Sequence, residues 1–271
     1  YHRLSVPFWR NRVIAGFNGM ILNGSTTEEL DTLGPNKLRR DYYGQQRRPE
    51  WAYMIPFIPF KFLEHYLGDL DNGLVSVDVD VIAPRGFRWY AEFLLDDITS
   101  PWTLFSDDWG NKWALTAGAE YMTKVASRDL GVSIEYSRVE PWVYTHFYGG
   151  SHRYTHFGMS MGSPLGPNSA GLVVAADYAV TKRSTIGLQF TNERTNSTVR
   201  GGSITDVFQD KEAPNPDSEV KRFLGPGTTS VSRPGVSYLL SPFGPIRVHV
   251  LMEQEFPSGQ TLITFNGGIL F

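Results

Sequence analysis

Val75-Ser76-Val77-Asp78-Val79-Asp80-Val81 decides the fold. Valine falls at every second position, and polar residues fill the gaps. Successive side chains of an extended chain point to opposite faces, so this stretch is a strand with one apolar and one polar face. The pattern recurs along the chain. Phe87, Trp89, Ala91, Phe93 and Leu95 share one face, and Arg88, Tyr90, Glu92 and Leu94 the other. Trp113, Leu115, Ala117, Ala119 and Tyr121 form a stripe opposite Glu120. Leu130, Val132, Ile134 and Tyr136 alternate with Ser133 and Glu135. Ile186, Leu188 and Phe190 alternate with Gly187 and Gln189, and Ile246, Val248, Val250 and Met252 with Arg247, His249 and Glu253.

Composition agrees with many strands joined by turns. Aromatics are 14% of the 271 residues, and 27 Gly and 17 Pro supply turn formers. The formal charge of −3 excludes a broadly basic nucleic-acid binder. Cysteine is absent, which removes disulfides, thiol nucleophiles and Cys-ligated zinc. No run approaches the roughly 18 apolar residues of a membrane-crossing helix. A transmembrane β-barrel stays compatible with this, because its apolar residues are spread over alternate positions.

Two arrangements fit such strands. In a soluble sandwich the apolar faces make the core. In a membrane barrel they face lipid and the charged faces line a wet lumen. The repeated charge and Tyr on the polar faces favour the barrel. So do aromatics near strand ends at Trp89, Trp113, Tyr121, Tyr136 and Trp142. The chain ends in a strand that aligns Ile263, Phe265, Gly267, Ile269 and a final Phe271 on one face. Ile263, Phe265, Ile269 and Phe271 resemble the assembly signal of bacterial outer-membrane barrels. Closure into a barrel also removes the pairing hazard of an exposed apolar edge.

Strands are predicted near 1–8, 12–21, 73–82, 86–96, 112–122, 130–140, 171–180, 184–194, 229–240, 245–255 and 262–271. Connections near 22–72, 97–111, 141–170 and 195–228 are long, and most of the others are short. Outer-membrane barrels keep short turns on the periplasmic side and long loops outside, which orients the chain. An odd count is unusual for such barrels. With no leader segment before Tyr1, the expectation is a single barrel domain over 1–271 that lacks N-terminal strands.

The 141–170 loop holds the candidate binding residues Trp142, Tyr144, His146, Tyr148, His152, Arg153, Tyr154 and His156. Aromatic faces cover apolar sugar faces, and polar tips take hydroxyls. Arg153 suits the carboxylate of an acidic sugar. The alternative is a structural belt and a loop packed across the pore. The spacing of His146, His152 and His156 matches no metal signature, so no metal or cofactor is expected. Asp96-Asp97 and Asp107-Asp108 are either a calcium loop or strand-end caps. Lumen-polar candidates are Asp78, Asp80, Arg88, Glu92, Glu120, Glu135, Arg247 and Glu253. Glu92, Glu120, Glu135 and Glu140 are the carboxylates a glycosidase would need, but carboxylates are ordinary in a water-filled lumen. No phosphate-cradling G-x-x-x-x-G-K loop occurs. Lys221-Arg222 and the arginine pairs Arg39-Arg40 and Arg47-Arg48 either contact anionic glycan or lipopolysaccharide, or are solvated. The aromatic Trp51–Tyr66 stretch is expected to fold back against the lumen or rim.

Several segments in order resemble the capsule assembly protein Wzi family. They are Tyr53-Met54-Ile55-Pro56-Phe57, Asp71-Asn72, Tyr90-Ala91-Glu92-Phe93 running to Asp96-Asp97, and Glu135-Tyr136-Ser137-Arg138 running through Pro141-Trp142 and Tyr144 to His146. Tyr154-Thr155-His156-Phe157-Gly158 and Leu165-Gly166-Pro167-Asn168-Ser169 complete the set, which spans roughly residues 50–170. Ile55 departs from the family's Asn. The resemblance implies an 18-stranded outer-membrane barrel with an N-terminal helical bundle, and a lectin-like hold on capsular polysaccharide. Divided by 18, this chain leaves about 15 residues per strand and connection, too few for ~10-residue strands and such loops. It therefore matches the family's C-terminal part.

The sequence thus predicts an all-β antiparallel transmembrane barrel, with about 11–12 strands here of up to 18. Its expected place is the outer membrane of a diderm, Gram-negative bacterium, and its expected role is non-catalytic. Expected partners are surface polysaccharide, outer-membrane lipid and lipopolysaccharide, the barrel assembly machinery and envelope-complex proteins. Porin and structural-subunit readings compete with it.

Overall fold

The computed structural model describes residues 1–22, 50–55, 58, 60–67, 71–146, 153–157, 159–206, 220–241 and 246–269. The strands are β1 (His2–Phe8), β2 (Val13–Leu22), β3 (Asn72–Val81), β4 (Phe87–Asp97), β5 (Lys112–Val125), β6 (Arg128–Val139), β7 (Thr155–His156), β8 (Met159–Ser160), β9 (Ser169–Thr181), β10 (Ser184–Thr195), β11 (Thr229–Leu240), β12 (Ile246–Gln254) and β13 (Thr261–Ile269). Eleven of them form one antiparallel sheet in chain order, and β7 and β8 make a separate small hairpin. Among the described residues, β1 and β13 do not pair with each other. No helix among the described residues is long and apolar enough to cross a membrane.

The sheet is all-β barrel wall, and its two faces invert the soluble order. Ser76 and Asn18 are buried, while Val77 is 50% exposed beside them. Leu188 at 60% and Phe265 at 72% continue this exposed apolar face along the wall. Ile134, Val236, Met252, Ile263 and Ile269 lie on it too. A contiguous apolar surface of this extent is foreign to a soluble monomer and suits lipid contact. The soluble sandwich is excluded by the same observation, since its apolar faces would be covered.

The opposite, inner face is concave. Met20 of β2 and Glu193 of β10 line one cavity of about 420 Å³, although six strand spacings of ~4.8 Å separate them along the sheet. Only a wall curved around that face brings them together. Its side chains form hydrogen-bonded ladders. Arg3 forks onto Asp78 at 2.8 and 2.9 Å, Asn18 donates to Asp78 and Ser76, and Ser76 donates to Glu92 at 2.7 Å. Arg88 donates to Asp80 and Glu120. Gln189 donates to Glu253, and Arg233 to Glu193 and Glu255.

Some boundaries differ from the sequence reading. The β5–β6 hairpin runs to a two-residue turn, Ala126-Ser127, with φ of 48° and 63°. Such paired positive φ values match the twist of a hairpin. Pairing outlasts the apolar alternation there, so polar Thr123, Lys124 and Asp129 sit within the strands. Residues predicted as loop also form a short helix, α1 (Phe60–Tyr66). It packs on the outer face of the rim, where Gly19 and Gly73 lack a Cβ that would meet Phe60 and Glu64. Helix α1 therefore lies against the outside of β2 and β3 at the rim, and not in the lumen.

Candidate functional site

The long-loop end of the wall holds the buried hydrophobic cluster. Each long connection places an Asn where it meets the sheet: Asn72, Asn111, Asn168 and Asn196, all buried. A primary amide offers two donors and an acceptor, enough to tie neighbouring loop backbones together. Asn168 donates to the Asn196 carbonyl and accepts from the Leu224 amide. Asn196 donates to the Leu224 and Pro226 carbonyls and accepts from Thr198. Asn111 accepts from the Thr99 amide and donates to the Thr103 carbonyl.

A buried ion pair closes the same end. Lys221 lies 2.9 Å from Glu140, both side chains 2% exposed, and Arg138 reaches the other Glu140 oxygen at 2.6 Å. Lys221 also donates to the Asn111 carbonyl. Two sequence expectations are corrected here. Lys221 is neither solvated nor available to an anionic glycan, and Glu140 is a clasp between loops, not an open carboxylate. Asp96 accepts from the Tyr144 amide at 2.6 Å, and Asp108 accepts from Thr99 and Gly110. These acids cap loops. No group of three metal-ligating side chains occurs among the described residues.

Below this rim Tyr144, Tyr154 and residues 161–165 roof the cavity. Its lining includes Glu92, Glu135 and Glu193 with Thr116 and Ser137 from the wall, and Tyr144, Tyr154, Met161 and Ser163 from the roof. Tyr144 and Tyr154 stack at 5.6 Å. Gly162 lets the Tyr144 ring lie against the backbone, and the Tyr144 hydroxyl accepts from the Ser163 amide. Burial pushes the Tyr144 hydroxyl up to about 12 despite that bond, with Asp96 adding to the effect. Burial first, then Glu92, raises Tyr154. Both rings stay neutral donors. On the wall, Tyr90 crosses Gly118 to donate to Glu135 at 2.6 Å, and a Cβ at Gly118 would lie 2.4 Å from the Tyr90 ring.

The predicted binding residues separate. Tyr144 and Tyr154 line the cavity. Trp142 is 3% exposed, with its ring against Gly201, so it is a buried peg and offers no face to a ligand. Arg153 donates to the Thr205 carbonyl and is not among the described lining residues. His146 is half-buried beside the rim core. His156 is exposed in β7, tilted against Phe157. Tyr148, His152 and the arginines at 39, 40, 47 and 48 lie outside the described residues, as does Phe271. Asp78, Asp80, Arg88, Glu92, Glu120, Glu135 and Glu253 share the inner face by cross-strand register, and Arg247 stands opposite Gly268 on it. Ile263, Phe265 and Ile269 lie on the outer face, opposite Met252, Val250 and Ile246.

The Asn ring and the Lys221 clasp were missed by sequence reasoning. The available signal was an Asn at each junction of a long loop with a strand: at or just before the strand start for Asn72, Asn111 and Asn168, and just after the strand end for Asn196. Only Asp71-Asn72 and Asn168 drew notice there, and as parts of a resemblance.

No protein-family model and no curated protein sequence matches the chain. Among solved structures, it is similar to Wzi, an outer-membrane protein involved in group 1 capsule assembly in Escherichia coli, described as a carbohydrate-binding β-barrel. The TM-score is 0.53 at 10% identity, over 96% of this chain and 46% of that one. The chain thus spans about half the length of the structure it matches. At that identity the likeness establishes the fold alone: a Wzi-like β-barrel wall.

Proposed function

We propose that this chain is part of an outer-membrane barrel that binds or anchors capsular or other surface polysaccharide, without catalysis. The observation that carries the reading is the roofed cavity on the inner face. It combines an aromatic pair with hydroxyl and carboxylate acceptors, the mixture that sugar recognition uses. The solved structure with the same fold is described as carbohydrate-binding, which supports the same class of ligand. The exposed apolar face supports contact with outer-membrane lipid and lipopolysaccharide. The apolar last strand supports handling by the barrel assembly machinery. A long polymer engaging many copies turns weak single contacts into retention.

The test is binding of size-fractionated capsular and lipopolysaccharide glycans to the detergent-purified chain. Saturable binding that is weakened when Tyr144 and Tyr154 are replaced by Leu supports the reading. Binding of every glycan unaffected by those replacements contradicts it. Conductance in planar bilayers separates the porin reading, which requires an open lumen.

A further inference from the structure

The charge of the cavity goes further than its shape. Among the described residues, its charged lining side chains are Glu92, Glu135 and Glu193, with no Lys or Arg. Glu193 is paired with Arg233 at 2.8 Å, which it shares with Glu255. Glu92 and Glu135 have hydroxyl donors only, Ser76 and Tyr90, and no ion pair among the described residues. Of the other inner-face cations, Arg3 is committed to Asp78 and Arg88 to Asp80 and Glu120, and Arg247 is not among the lining residues. Two uncompensated carboxylates therefore face a partly enclosed space beneath the tyrosine pair. Charges in such a space are screened less than on an open surface.

We infer that the cavity selects sugar units by charge: it takes amine-bearing or neutral units and rejects uronic-acid and other carboxylated ones, with Glu92 and Glu135 setting the preference. The inference rests on the glycan-binding reading and deepens it. A protonated amine gains a charge-assisted hydrogen bond to either carboxylate. A neutral hydroxyl gains an ordinary one. A sugar carboxylate meets like charge with no cation to repay its desolvation. The Tyr144–Tyr154 pair offers ring faces and edges to any of the three, so it supplies affinity and the glutamates supply choice.

Three tetrasaccharides of matched length test this against the full chain in detergent micelles: glucosamine, N-acetylglucosamine and galacturonic acid. The expected order is amine above neutral above acid, with at least about tenfold between the first and last at low salt. The double variant E92Q/E135Q keeps an oxygen for the Ser76 and Tyr90 hydroxyls. It is expected to lower amine binding about tenfold and raise acid binding, compressing the order. The contrast between amine and acid is also expected to shrink as salt rises. Acid binding equal to amine binding, unchanged in the double variant, overturns the inference and leaves the glycan reading standing. Absence of binding by all three, with none of the larger glycans bound either, overturns both. Thermal unfolding of the double variant within a few degrees of the parent separates altered choice from lost fold.

Discussion

The two ends of the wall are held by different chemistry. At the long-loop end, four Asn side chains, the Glu140–Lys221 pair and the Leu74, Leu94, Val139 and Val143 cluster are buried. At the short-turn end, Arg88 is 43% exposed while it bridges Asp80 and Glu120, and the Lys124–Asp129 contact is 3.9 Å between exposed side chains. Desolvated partners are costly to orphan, whereas solvated pairs contribute little. The wall therefore has one structured end, where the loops and the cavity are, and one end where local hairpin geometry suffices.

Breaking the clasp is the harshest test of this contrast. Lys221→Ala leaves a buried carboxylate with Arg138 alone, and the expected loss is about 3–5 kcal/mol in thermal or denaturant unfolding in detergent. Asn196→Ala removes donors to two loop carbonyls and is expected to cost about 1–3 kcal/mol by the same assay.

A pH titration reaches the outer side of the same rim. Burial raises Glu64 of α1 from 4.5 to about 7, with Lys61 at 3.1 Å opposing the shift. The folded state then holds a proton that the unfolded state releases between these values. Stability is expected to fall as pH rises from about 4.5 to about 7 and to level off above, and Glu64→Gln should remove that slope. The smallest effect belongs to the short-turn end. Arg88→Ala should cost only about 0–1 kcal/mol. A loss there equal to that of Lys221→Ala would erase the distinction between the ends.

The wall was legible because alternation is a local property. Val75 to Val81 declares its two faces without knowledge of its neighbours, and eleven such segments give eleven strands of one sheet. The rim was less legible because its partners are distant in sequence. Lys221 meets Glu140 and Asn111 across 81 and 110 positions, and no local pattern marks a lysine for burial. Trp142 misled for a related reason. A tryptophan in an aromatic loop looks like a sugar platform, and only Gly201, brought alongside it by the fold, shows it to be a peg. The helix α1 hid behind Pro56 and Pro59, which mark a loop more strongly than seven residues can mark a helix.

The central claim is that the apolar face meets lipid and the charged face meets water. The absence of cysteine makes it directly measurable, because single cysteines can be introduced without background. Spin labels at Val132, Ser133, Ile134 and Glu135 of β6, in the chain reconstituted into bilayers, are read for collision with oxygen and with a water-soluble nickel chelate. Alternation is expected: oxygen-accessible at Val132 and Ile134, nickel-accessible at Ser133 and Glu135. Uniform accessibility along the four positions, or alternation in the opposite phase, would contradict it.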